Sequence, residues 1–420
     1  MFKHWILLLL VALAIRVGLS FYWQARVEHD FFFGDSNTYW VLARHIAQNE
    51  PYEYEGLQMM RMPGYPMLLA PLFMVFGNDP PILIARFENC LFGVLTVVMV
   101  AAVAFTLFRD QRIAFLAGAI AAIEPCNAFA SVLILSEAPF SFAMMLQIFA
   151  WINMLKSETI KRRLLYSILC GAATAASVYC RPSWLYFFPF AFVFVMLSSW
   201  FVENFRKDYR TLFVSHGISF AIFIALMMPW WLRNYHISGH FVSTTLQMGA
   251  SLYDGISPEA TGASDMIFVD EFKAAELETP SMNPATETYE YRLDRRMKTA
   301  AMQFAIENPS RALWLACIKF VRMWNIWPNE ASFSSLPIKL AVLITYVPIL
   351  IGAICGGVLT FKRGFSCWIL WIPAIYLTLL HLVFVSSLRY RTPVLLVFAI
   401  LAAFALVQTF SARNDPVQKQ

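Results

Sequence analysis

The sequence predicts an all-α polytopic membrane protein, a bundle of about ten to eleven transmembrane helices with further helices lying along its outer face. Three observations lead there. The 420 residues are 59% hydrophobic and only 14% charged, with mean hydropathy +0.58. A soluble domain carries about 25% charged residues and needs them to stay dissolved. Apolar runs at Leu7–Phe21, Ile82–Leu107, Leu212–Trp231 and Ile338–Phe361 approach or exceed the ~20 residues that a spanning helix requires. These runs are continuous and do not alternate, so a membrane β-barrel is excluded as the reading.

Spans are expected near 5–23, 82–107, 113–130, 131–154, 164–180, 182–202, 212–231, 338–361, 366–386 and 392–410. The start, Met1-Phe2-Lys3-His4 before an apolar run, mimics a signal peptide. Arg16 interrupts that run and no A-x-A site follows, so it reads as the first helix. Basic residues mark the turns: Arg109 and Arg112; Lys156, Lys161, Arg162 and Arg163; Arg206, Lys207 and Arg210; Lys362 and Arg363. The positive-inside rule makes these turns cytoplasmic. Alternation then puts residues 24–81 and 232–337 outside, within one membrane domain over 1–410, and leaves 411–420 as a polar tail. Pro309–Trp327 is apolar but carries Arg311, Lys319 and Arg322. As a span it would reverse every later helix, so the charge rule favours an interfacial amphipathic helix.

The outer segments contain structure of their own. Asp35-Ser36-Asn37-Thr38 supplies capping residues, and Tyr39, Leu42, Ala43 and Ile46 fall on one helical face. Gly64–Gly77 is apolar but too short to span, hence re-entrant or interfacial. Residues 254–308 are polar and read as a surface loop with short helices. The net charge of +5 sits in short basic connections, with no dense basic face for nucleic acid. The seven cysteines are scattered; Cys90, Cys170, Cys317 and Cys355 lie in apolar runs, and no CxxC or Cys/His cluster suggests a disulfide framework or zinc.

Ionisable groups at membrane depth or at its face require a reason. Asp35, after Phe31-Phe32-Phe33-Gly34, reads either as a helix N-cap or as a general base for an acceptor hydroxyl. Arg61, before the Pro63-Gly64-Tyr65-Pro66 turn, reads as a snorkelling cation or as a phosphate contact. Glu137 opens a helix, where the dipole stabilises it; alternatively it binds a cation or orients an acceptor. Arg181-Pro182, Arg233-Asn234-Tyr235 after Pro229-Trp230, and Arg389-Tyr390-Arg391 could each be an interfacial anchor. Together they bring Arg-bearing corners to one face, the surroundings that a leaving phosphate needs. Arg86 and His381 belong to the same outer-face set.

In this order the motifs resemble the dolichyl-phosphate-mannose-protein mannosyltransferase superfamily, in the bacterial branch that includes aminoarabinose transferases. Gly34-Asp35 with Tyr39 and Ala43 is similar to the opening motif, and Arg61 through Pro66 to the R-x-P-x-Y-P turn. Arg86 with Asn89, Ser136-Glu137, Arg181-Pro182, Arg233-Asn234-Tyr235 and Arg389-Tyr390-Arg391 follow. The resemblance implies a GT-C fold, Asp35 as the catalytic acidic residue and a polyprenyl-phosphate-linked sugar as donor. It implies a glycan, lipid or protein acceptor and a site on the exterior side of the inner membrane. The expected donor-phosphate set is Arg61, Arg181, Arg233, Arg389 and Arg391. Tyr39, Tyr65, Arg86, Asn234, His381 and Tyr390 are expected to line the cavity. Ser36 stands where the family often has a second acid, so a divalent cation is an open question. No P-loop or GxGxxG is present for a nucleotide donor. Two rival classes share the apolar helices: a flippase or transporter, which would show related halves, and a non-catalytic assembly subunit, in which Asp35 would be dispensable.

Overall fold

The computed structural model describes residues 2–27, 31–199, 209–328, 333–361 and 365–414. Its helices are α1 (Phe2–Val27), α2 (Gly34–Gln48), α3 (Gly64–Phe76), α4 (Ile82–Phe108), α5 (Gln111–Ile123), α6 (Pro125–Ala130), α7 (Glu137–Lys156), α8 (Ile160–Cys180), α9 (Phe187–Ser199), α10 (Tyr209–Ser238), α11 (Met248–Gly255), α12 (Phe268–Glu278), α13 (Tyr289–Glu307), α14 (Pro309–Trp324), α15 (Leu336–Thr360), α16 (Phe365–Trp368), α17 (Ile372–Val383) and α18 (Leu388–Asn414). Seven of them, α1, α4, α7, α8, α10, α15 and α18, are long and apolar enough to cross a membrane. The chain is a multi-pass integral membrane protein.

Several expected spans are shorter or broken, for local reasons. The span expected over 113–130 ends at Ile123 because Glu124 caps a new helix, accepting from the backbone N–H of Cys126 and Asn127, with Pro125 at its first position. The span over 131–154 starts only at Glu137, after a turn through 131–136. The 182–202 span is a 3₁₀ turn at Pro182–Trp184 followed by α9, and its last residues lie outside those described. The 366–386 span divides into α16 and α17. The tail is helical through Asn414, and α13 is a longer helix than the polar composition of 254–308 suggests. The basic turns at Arg206, Lys207, Lys362 and Arg363 lie outside the described residues.

Helix α18 is the axis of one half of the bundle, packed against α15 and α5, with Val394–Ala405 buried throughout. In the other half α7 packs on α4 and α8, and α10 on α8. Small residues allow the close approaches. A Cβ on Gly356 of α15 would stand 2.1 Å from the Leu401 carbonyl oxygen of α18, and one on Gly171 of α8 would stand 2.3 Å from that of Ser219. Without water to drive association, such packing holds membrane helices together. Lipid-facing positions such as Leu7, Leu10, Leu226, Ile344 and Val358 are correspondingly exposed.

α14 is amphipathic, and one of its charges, Lys319, is turned inward. Leu315, Lys319 and Met323 are buried, whereas Leu313, Trp314, Phe320 and Val321 are exposed. The Lys319 ammonium donates to the carbonyls of Gly255 and Val383, and Arg311 to that of Ala260. α14 is not among the seven long apolar helices.

Candidate active site

Two carboxylates and three guanidiniums from five parts of the chain converge at one end of the bundle. Asp35 lies in the first turn of α2 but caps nothing. The helix begins at Gly34 with no side-chain cap. The Asp35 carboxylate instead accepts from Arg61 at 2.5 Å and from Arg389 at 3.4 Å. Arg389 also donates to Glu137 at the start of α7, and Arg181, where α8 ends, stands 3.3 Å from the same carboxylate oxygen. Arg389 therefore bridges the two acids, with Arg61 and Arg181 flanking them.

Burial differs sharply between the acids. Glu137 has 3% of its side-chain surface open and Asp35 has 34%. Asp35 is thus the acid that a reactant can reach. Its burial acts to raise the carboxyl, but Arg61, Arg389 and Arg181 outweigh it and hold Asp35 below the ordinary value of 3.8. The carboxyl is ionised at neutral pH. Arg61 Nε and Glu137 Oε2 are buried and have no protein hydrogen-bond partner.

Aromatic residues set the angles of the cations. Arg61 lies over the Tyr39 ring at 5.7 Å, and Tyr39 meets Tyr65 edge-on at 5.1 Å. Arg389 lies over Phe33, and Arg181 lies between Phe140 and Tyr390. Tyr390 stacks on His381 at 4.2 Å, and His381 Nδ1 lies 2.7 Å from the Val385 carbonyl.

The turn before Glu137 is held from α4. Arg86 donates to the Val132 carbonyl and to Gln24, and Asn89 donates to the Leu133 carbonyl and to the Tyr65 hydroxyl. Arg86 thus supports the site instead of lining it.

Two expected phosphate ligands point elsewhere. Arg391 is fully buried, donates to the carbonyls of Met323 and Asn325, and lies 3.7 Å over the Tyr346 ring. Arg233 donates to the carbonyls of Tyr52 and Gln58 and to the Asn234 side chain, with its face on Trp230. Asn234 is buried and donates to the carbonyls of Val242 and Thr244. Both residues tie loops together beside the acid cluster. Gln247 is a site residue that no sequence signal marks. Its Oε1 accepts from Arg61 at 2.7 Å, and it sits in no recognisable motif.

No group of three or more His, Cys, Asp or Glu side chains among the described residues could hold a metal ion. Asp35 and Glu137 are bridged by Arg389 in the place that a cation would need, so these residues do not fit a divalent ion as arranged.

A family model, dolichyl-phosphate-mannose-protein mannosyltransferase, matches residues 60–245. That stretch holds Arg61, Glu137, Arg181 and Arg233 and leaves out Asp35 and Arg389. No curated protein sequence matches the chain. Among solved structures, the archaeal oligosaccharyltransferase AglB from Archaeoglobus fulgidus, in complex with an inhibitory peptide and a dolichol-phosphate, has a TM-score of 0.62 at 16% identity over 98% of this chain and 51% of that one. The Archaeoglobus fulgidus oligosaccharyltransferase tethered to an acceptor peptide with the NVT sequon gives 0.62 at 14%, over 98% and 50%. ArnT from Cupriavidus metallidurans bound to undecaprenyl phosphate gives 0.48 at 13%, over 97% and 78%. The fold is GT-C-like, and the chain spans about half the length of the archaeal enzyme.

Proposed function

We propose that the chain is a membrane glycosyltransferase that moves a sugar from a polyprenyl-phosphate donor to an acceptor hydroxyl at the extracytoplasmic face, with inversion. One observation carries the reading. A partly open carboxylate, Asp35, lies between two guanidiniums, Arg61 and Arg389, which are geometrically able to take a phosphate instead.

The step balances as a single displacement. The acceptor oxygen forms a bond to the anomeric carbon as the bond from that carbon to the phosphate oxygen breaks. The electron pair leaves on the polyprenyl phosphate, where Arg61, Arg389 and Arg181 meet the charge. The acceptor proton goes to Asp35. Phosphate draws the arginines away from Asp35 and weakens the field that keeps its carboxyl a poor base. Donor binding thereby raises the basicity of Asp35 when the base is needed. Glu137 retains Arg181 and Arg389 at the site.

The family match over 60–245 and the helical likeness to an oligosaccharyltransferase solved with dolichol-phosphate support this class. The bacterial aminoarabinose-like branch is the finer assignment we favour, on the motif order from Asp35 to Arg391. The acceptor is a glycan, a lipid or a protein.

The test is transfer of labelled sugar from membrane-extracted polyprenyl-phosphate donors by purified protein in liposomes, with Asp35→Asn as the paired variant. Transfer that collapses in a folded Asp35→Asn supports the reading. Transfer unaffected by that change removes Asp35 from the chemistry. Movement of the labelled lipid across the vesicle without transfer replaces the enzyme with a flippase.

A further inference from the structure

Arg61 comes from a loop, so something must hold that loop still. The loop over 52–61 is gripped from two sides. On one side Arg233 donates to the carbonyls of Tyr52 and Gln58. On the other stands α13, more than two hundred residues away in sequence. The Glu290 carboxylate accepts from the backbone N–H of Gln58 at 2.8 Å and from that of Met59 at 2.9 and 3.1 Å. One helical turn further on, on the same face of α13, Asp294 accepts from the Gly249 N–H at 2.6 Å. Glu290 and Asp294 are both nearly buried.

The two gripped segments also hold each other. The Met59 carbonyl accepts from Leu246 N–H at 2.9 Å, and Gln247 Oε1 accepts from Arg61 at 2.7 Å. α11 lies directly on the α13 backbone, since a Cβ on Gly249 would stand 2.0 Å from the Asp294 carbonyl oxygen. A closed ring of hydrogen bonds thus runs from α13 through 58–59 and 246–249 to the Arg61 guanidinium.

We propose that Glu290 is a positioning residue for Arg61, with Asp294 as its companion: the two carboxylates clamp 58–61 against 246–249 and so fix the guanidinium beside Asp35. The consequence for donor binding rests on the reading of Arg61 as a phosphate ligand. Glu290 faces Arg233 and Asp294. Burial pushes its carboxyl up to about 7, against the pull of the two backbone N–H groups and Arg233. A neutral side chain with one acceptor oxygen therefore reproduces one of its two protonation states, which makes glutamine the conservative substitute.

The experiment uses the full chain in lipid nanodiscs, with undecaprenyl phosphate as the probe. Amide exchange over 57–62 and affinity for the probe are measured for wild type, Glu290→Ala, Glu290→Gln and Arg61→Gln. In Glu290→Ala, exchange at Gln58 and Met59 should quicken and affinity should fall roughly tenfold, the effect of leaving buried backbone donors without their acceptor. Glu290→Gln should restore most of both. Unchanged exchange in Glu290→Ala overturns the clamp. Quickened exchange with wild-type affinity overturns the positioning role. Should Glu290→Ala fail to fold, Asp294→Ala against Asp294→Asn makes the same comparison from the second grip. If Arg61→Gln binds the probe as wild type does, the donor reading fails by itself, and exchange at 58–59 alone decides the clamp.

Discussion

Arg389 and Arg391 are two residues apart in the first turn of α18, and they serve opposite ends. Arg389 meets two carboxylates at a partly open site, with 29% of its side-chain surface exposed. Arg391 is buried and donates to backbone carbonyls at the end of α14. Residues two apart on a helix face nearly opposite ways, so only one of the pair can reach Asp35. Arg61 and Arg233 repeat the division: one reaches a carboxylate and the other holds a loop by its carbonyls. A guanidinium paired with a carboxylate can exchange that partner for a phosphate. A guanidinium spent on backbone carbonyls is part of the scaffold.

The largest effect that tests this division falls on Asp35. Asp35→Asn keeps the size of the side chain but removes the charge and the base. Transfer should drop by about 10²–10⁴, the range for general bases, in a variant that still folds but with a lowered thermal midpoint, because Arg61 and Arg389 lose their charged partner. Residual transfer near the wild-type rate would mean that the open acid of the pair is not the one that acts.

The two arginines of α18 should then separate by readout. Arg389→Gln should cost about 10² in transfer, comparable to losing one donor to a developing oxyanion, while the fold persists. Arg391→Leu should instead lower stability by about 2–3 kcal/mol, because two carbonyls and an aromatic face lose their cation. Activity should follow only the folded fraction. The reverse pattern would break the comparison.

How much of this could be read beforehand varies from residue to residue. The long apolar runs announce their helices because hydropathy alone decides them. The break at Glu124 is invisible because an apolar window continues through a polar cap, whereas Glu137 reads as a helix opening even though the apolar window extends back to 131. For the site, Asp35, Arg61, Glu137, Arg181 and Arg389 are all legible from charge near an expected membrane face. Arg391 and Arg233 carry the same signal because charge says nothing about direction. Gln247 and Glu290 are silent in the sequence for a different reason. Their roles lie wholly in tertiary contacts with a loop far off in the chain, and neither side chain sits in a motif.

Arg61→Gln should weaken binding of undecaprenyl phosphate about tenfold, whereas Arg233→Gln should act through loop order and change exchange over 52–58 first. If both variants lose affinity equally with no change in exchange, Arg233 belongs with the phosphate ligands after all.

The smallest effect is a displacement in pH, and its sign follows from the geometry. Arg61, Arg389 and Arg181 hold the Asp35 carboxyl below its ordinary 3.8 despite burial. A depressed carboxylate stabilises the fold above the unfolded value and loses that contribution as pH falls through the lower folded value. The same ionisation keeps the free enzyme's base ready, so kcat/KM should stay level through mildly acidic pH and fall only below the usual aspartate range. Arg61→Gln removes the nearest positive charge. The Asp35 carboxyl then rises, the acid limb of kcat/KM moves to higher pH, and acid unfolding begins earlier. Arg391→Leu faces another way and should leave the limb where it was among molecules that remain folded. Profiles of kcat/KM against pH for the three proteins decide it. Coincident limbs in wild type and Arg61→Gln would show that the guanidinium seated against Asp35 does not set its charge.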